Sequence, residues 1–185
     1  MSIPEVSSRN RLLAFIQKYL KKVDSMLVDS MLVGGTFRAP TQPGFSAYAS
    51  SDQSIPAATA TEIEFDEVHW DNGGDFNTST YTFTAPVTGK YLLTTSVRLD
   101  DVDSSSTQYT RIYIITTERT YRGALNSVDE NTTVDPRAYS SPGYTVIADM
   151  DEGHEATIEV HVYSGTSQTN TGTDTNVTFM GWLLG

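Results

Sequence analysis

From Tyr81 to Val97 the chain reads YTFTAPVTGKYLLTTSV, and this run constrains the fold more than any other. Tyr81, Phe83 and Ala85 alternate with Thr82 and Thr84, Pro86 and Gly89 interrupt the pattern, and Lys90 to Val97 resume it. A period of two places apolar and hydroxyl side chains on opposite faces of an extended strand, while Pro and Gly punctuate turns. The reading is strand, turn, strand, a hairpin-like unit of a β-rich domain. A second alternating run, Ala156, Ile158, Val160 and Val162, follows the turn-forming residues Asp149 to His154 and adds a strand with one buried face.

Particular residues recur at telling intervals. Phe65, Asp71, Phe76, Phe83, Gly89 and Tyr91 are separated by six, five, seven, six and two positions, with short polar and turn-forming residues between them. This arrangement resembles the signature of the C1q globular-head family: Phe, Asn or Asp, an aromatic, Phe, Gly, Tyr. The tail VTFMGWLL, with Phe179 and Gly181, is similar to the closing strand of the same family. The resemblance runs from about Phe45 to Gly185. Leu93 stands where the family carries Phe, a packing substitution, and residues 104–139 align with no motif, which leaves any ligand surface unassigned. The resemblance implies an all-β, C1q/TNF-like jelly-roll sandwich that assembles as a homotrimer, of the kind found in phage fibres and bacterial surface proteins.

The first 38 residues are a different kind of polypeptide. Ser7 or Ser8 can cap a helix in which Leu13, Ile16, Leu20, Val23 and Leu27 occupy alternating a and d positions. Such a short amphipathic helix is marginal alone, so its stripe needs a partner, and two further copies of the chain are the most economical one. A membrane-surface helix with Arg11, Lys18 and Lys22 at the headgroups is the competing reading. DSMLV at Asp24–Val28 repeats at once as Asp29–Val33, giving Met26, Leu27, Val28, Met31, Leu32 and Val33 in close succession. A five-residue period suits neither heptad nor strand, and this apolar surplus reads as an anchor that docks into a larger assembly. APTQPG at 39–44 is a stiff linker. The domain reading is therefore a helical stalk and anchor at 1–38, a linker at 39–44 and a β-sandwich head at 45–185.

The net charge of −11 is split unevenly, since residues 1–38 hold six basic against three acidic side chains, net +3, leaving −14 beyond them. An acidic head repels nucleic acid. Cysteine is absent, which excludes disulfide staples and thiolate chemistry. The stretch Leu12–Leu20 is broken by Gln17 and Lys18, so neither a signal peptide nor a membrane span is expected.

Catalytic patterns are not found. His69, His154 and His161 are dispersed, no serine sits in a nucleophile elbow, and the acids Glu62, Glu64, Asp149, Asp151 and Glu152 have the spacing of solvent-facing strand and turn residues. A non-enzyme is expected. Asp100, Asp101 and Asp103 close a strand and open a loop, while Asp129, Glu130 and Asp135 lie in the unaligned middle; oxygen ligands gathered in loops suit calcium. Because several heads of the family bind calcium near the trimer axis, the resemblance favours Asp129 and Asp135, with a plain acidic loop as the alternative. The three Asn-X-Thr/Ser sequences, at Asn77, Asn131 and Asn176, are read as unmodified.

A basic helical end, a proline linker and an acidic head describe a short trimeric fibre or decoration protein of a virion, fixed by residues 1–38 and presenting the head to a host-surface ligand. The alternative is a bacterial surface or secreted C1q-like recognition protein; a TNF-like signalling ligand is disfavoured by the expected lack of a membrane anchor.

Overall fold

The computed structural model of the chain describes residues 13, 15–17, 42–103, 109–127, 137–163, 168–170 and 176–184. The chain divides into two compact units, Met1–Ala39 and Pro40–Gly185. In the first, Leu13, Phe15, Ile16 and Gln17 are helical, and the first three are exposed. The stalk positions Leu20, Val23 and Leu27 and the anchor positions Met26, Val28, Met31, Leu32 and Val33 lie outside the described residues.

The second unit is built from β-strands. In chain order they are β1 (Gly44–Tyr48), β2 (Gln53–Ile55), β3 (Ala60–Glu62), β4 (Glu67–Asp71), β5 (Phe76–Asn77), β6 (Thr82–Thr84) and β7 (Gly89–Val97). There follow β8 (Leu99–Asp103), β9 (Tyr109–Thr116), β10 (Thr120–Ser127), β11 (Arg137–Ser140), β12 (Gly143–Met150), β13 (Glu155–Tyr163), β14 (Gln168–Asn170) and β15 (Val177–Leu183). Every paired strand is antiparallel. One sheet has the order β12-β7-β15-β1-β4; the second has β10-β9-β13-β6-β5, with β3 also on β13. A smaller sheet, β11-β8-β14-β2, continues from them.

The two main sheets close over one core, as the alternation requires. Along β13, Ala156, Ile158, Val160 and Val162 are buried and their neighbours are not; along β15, Val177, Phe179 and Gly181 point inward. At the centre the ring of Phe45 stacks on Phe83 at 4.6 Å and Phe76 at 5.0 Å and meets Phe179 edge-on at 4.9 Å. Each such side chain stabilises the head by about 1.5–3 kcal/mol when fully removed from water. Gly181 is what lets the sheets approach there, because a Cβ at that position would lie 2.4 Å from Phe45 Cε1.

One expectation needs correction. The strands before and after Pro86 are not a hairpin: β6 pairs with β5 and β13, whereas β7 pairs with β12 and β15, so the turn carries the chain from one sheet to the other. The reason is burial, since Phe83 and Ala85 on one side and Tyr91 and Leu93 on the other all point into the shared core. The acids Asp100, Asp101 and Asp103 close a strand, since β8 ends at Asp103. They sit within β8, held by the fully buried Leu99 and Val102 and by pairing with β11 and β14, and Arg98 Nε donates to Asp100 at 2.8 Å.

Candidate functional site

The signature residues turn out to be the fold's own scaffold. Phe65, Phe83, Tyr91 and Phe179 are buried in the core with Phe76, and the Tyr91 hydroxyl donates to Val87 O at 2.7 Å. Gly89 opens β7 opposite Met150. Asp71 organises the turn that follows β4: its Oδ1 accepts from the N–H groups of Gly73, Gly74 and Asp75 at 3.3, 3.0 and 3.1 Å, and its Oδ2 from Phe76 at 2.9 Å. A carboxylate with four backbone donors fixes the turn as a helix cap would. Burial first, and the Asp71 charge second, hold the neighbouring Asp75 carboxyl above its ordinary value.

The exposed features lie elsewhere, on the two faces turned away from the core. On the five-stranded sheet, Trp70 of β4 and Trp182 of β15 meet edge-on at 5.5 Å, and Trp182 covers Gly44, where a Cβ would come within 2.6 Å of its ring. With Leu92, Thr94, Met180 and Gly181 they line a shallow groove of about 200 Å³. Trp70, Met180, Trp182 and, on β12, Ile147 are 39, 38, 38 and 59% exposed, so an apolar band stands open to water on a strand face. Beside it Tyr48 stacks on His69 at 4.3 Å, and Thr94 and Thr145 join hydroxyls at 2.7 Å.

A second recess, of about 280 Å³, lies between the β9–β10 and β12–β13 turns and is lined by Glu118, Arg119, Tyr121, Asp149, Asp151 and His154. Its charges largely answer one another. Lys90 pairs with Asp149, His154 Nδ1 accepts from Asp151 N at 3.1 Å while its Nε2 faces Glu118 at 3.6 Å, and Arg119 lies 5.8 Å from the centre of the Tyr121 ring.

The outward face of the second sheet gathers polar aromatics. Tyr109, Arg111 and Tyr113 alternate on β9, and the register sets them opposite Tyr163, His161 and Glu159 of β13. Tyr163 stacks on Tyr109 at 4.0 Å and on His161 at 3.7 Å, and the Tyr113 and Tyr163 hydroxyls are 2.8 Å apart. Burial, then the bond to Tyr163, pushes the Tyr113 hydroxyl up, and Arg111 within hydrogen-bonding reach partly offsets this. Pairing of β3 with β13 also places Glu62 opposite Glu159, so that burial first, then Glu159 and Glu64, raise the Glu62 carboxyl. The sequence had suggested only unperturbed, solvent-facing acids here; it takes the cross-strand register to bring these two together.

Among the described residues no three His, Cys, Asp or Glu are placed to hold a metal ion, and Asp129 and Asp135 lie outside those residues. No described helix is long and apolar enough to cross a membrane.

Known proteins agree with this geometry. The family model for the C1q domain matches residues 44–184. The globular domain of zebrafish complement 1qA protein is similar at a TM-score of 0.53 and 16% identity, covering 78% of this chain and 98% of its own. Murine APRIL has a TM-score of 0.56 at 14% identity, covering 77% and 99%, and the Eiger TNF of S. frugiperda 0.55 at 10%, covering 78% and 94%. No curated protein matches the sequence. A family match over most of the chain and a jelly roll shared with C1q and TNF-like proteins lead to one conclusion: the chain belongs to the C1q domain family.

Proposed function

We infer that the chain is a non-enzymatic structural protein of a virion, a short homotrimeric fibre or decoration protein whose C1q head binds a surface ligand. Proteins with C1q and TNF-like domains are generally recognition or signalling proteins, and their heads typically act as trimers. The observation that carries the reading is the open Trp70, Met180 and Trp182 face. A monomer leaves it wet, and a closed three-fold contact removes it from water without starting a filament. The anchoring half rests on the sequence of residues 1–38, whose net +3 charge and doubled Met-Leu-Val triplets suit docking to a larger protein assembly better than free solution.

The test is where the protein resides. Purified particles that contain the chain in multiples of three support the fibre reading. Recovery only from the bacterial surface or from particle-free medium overturns it in favour of a surface or secreted recognition protein.

A further inference from the structure

The cluster on the outward face of β9, β10 and β13 has features that packing alone does not explain. The Arg111 Nε is buried with no hydrogen-bond partner, an arrangement that costs stability and that folded proteins keep rare. Arg122 of β10 lies directly opposite Tyr113, is exposed, and shares this face. Among the described residues Lys90 and Arg98 have carboxylate partners, whereas no carboxylate pairs with Arg111 or Arg122. Two guanidinium groups on adjacent strands, neither with a carboxylate partner, are unusual in a chain of net charge −11. A local cost with no structural return marks a position held for binding.

The neighbours specify the chemistry. Across the strands one row reads Arg122, Tyr113, Glu159, Glu62, and the next reads Leu125, Arg111, His161, Ala60. Four strands span about 14 Å at their usual spacing, the length of a short oligosaccharide. At one end of the first row the forked donors match a carboxylate; at the other, carboxylates accept from hydroxyls, with tyrosine hydroxyls between. A polyphosphate or nucleic acid would meet repulsion at Glu159 and Glu62, but a sugar bearing one acid group meets a complement at both ends.

We propose that this face binds an acidic saccharide, its carboxylate held by Arg111 and Arg122 and its hydroxyls by Tyr113, Tyr163 and Glu159. The proposal deepens the reading of the head as a recognition module and rests on it. Binding is scored on the purified full-length chain, so a failure here leaves attachment to a particle as a separate result.

Calorimetric titration with glucuronate, with glucose and with sulfate tests it. Glucuronate should bind saturably, more weakly as salt rises, while glucose binds about tenfold more weakly or not at all. Sulfate should compete but bind less tightly than glucuronate. Arg122→Glu, an exposed change, should weaken glucuronate about tenfold or more, and Arg111→Lys, which keeps the charge but loses the fork, should weaken it several-fold. Absence of saturable glucuronate binding, or glucose binding as well as glucuronate, overturns the proposal, as do both variants binding like the wild type. Sulfate binding as tightly as glucuronate overturns the saccharide assignment.

Discussion

Phe83 and Tyr91, joined by a single turn, meet ring to ring at 5.4 Å across the interior of the head from two different sheets. The turn through Pro86 thus stitches the two layers together, and the chain repeats the device after β12, where Gly153 with φ of +84° turns it back into the second sheet. Both crossings pack into one core, so perturbing their packing should be felt by the whole head.

Gly181→Ala should destabilise the head. The added methyl meets Phe45 Cε1 at 2.4 Å and Leu93 Cδ2 at 3.1 Å. Overpacking of this kind costs about 1–3 kcal/mol, a fall in Tm of roughly 2–12 °C for a chain of this size. An unchanged Tm by calorimetry would mean that the Phe45 ring moves aside freely.

Asp71→Ala should cost about 1–3 kcal/mol by leaving backbone donors of Gly73 to Phe76 without their acceptor. Asn, which keeps one acceptor oxygen, should recover part of the loss. The urea midpoint is the measure, with an unchanged slope expected; equal midpoints for wild type and the Ala variant would rule out a structural role for this carboxylate.

Asp75 should give stability a pH dependence. Its carboxyl is raised above 3.8 by burial and by Asp71, so it binds its proton more tightly in the folded head. That contribution is complete below the unfolded value and is lost as pH rises through the raised one. Asp75→Asn should therefore gain on wild type progressively as urea melts move from about pH 4 towards pH 7. A difference that stays constant with pH would contradict this.

Trp182→Glu should convert the proposed trimer to monomers. The charge enters an apolar face whose Trp70 neighbour lies 5.5 Å away, and burying an unpaired charge costs several kcal/mol. Light scattering at micromolar concentration reads the mass directly; a wild-type chain that is already monomeric would remove the premise.

A chain beginning at Phe45 should remain folded, because the head closes its own core, yet lose the proposed attachment to a particle. Leu27→Asp with Leu32→Asp in the full chain should do the same. Normal incorporation of the double variant, or unfolding of the shortened chain, would show that residues 1–38 serve the head's own fold.

The fold was legible where one face of a strand is cleanly apolar. Along β13, Ala156, Ile158, Val160 and Val162 alternate with Thr157, Glu159 and His161, so that strand could be read without coordinates, while β15 was read from its resemblance to the family's closing strand. Within residues 104–139 the strands were missed because β9 reads Tyr-Thr-Arg-Ile-Tyr-Ile-Ile-Thr, where apolar and aromatic residues occupy both faces and blur the period. The outward faces were hidden for a related reason. A Trp on a strand suggests core, and only its phase against Phe179 and Gly181 betrays that Trp182 points out. Arg111 and His161 become neighbours only through the β9–β13 register, which long-range pairing sets and local pattern does not.

The strand that receives the linker lies beside the strand that ends the chain: β1 runs antiparallel to β15, Gly44 against Trp182, with β4 on its other flank. A pull directed along β1 would load the ladders on both sides of it along their length, so that several hydrogen bonds would shear together rather than peel apart singly.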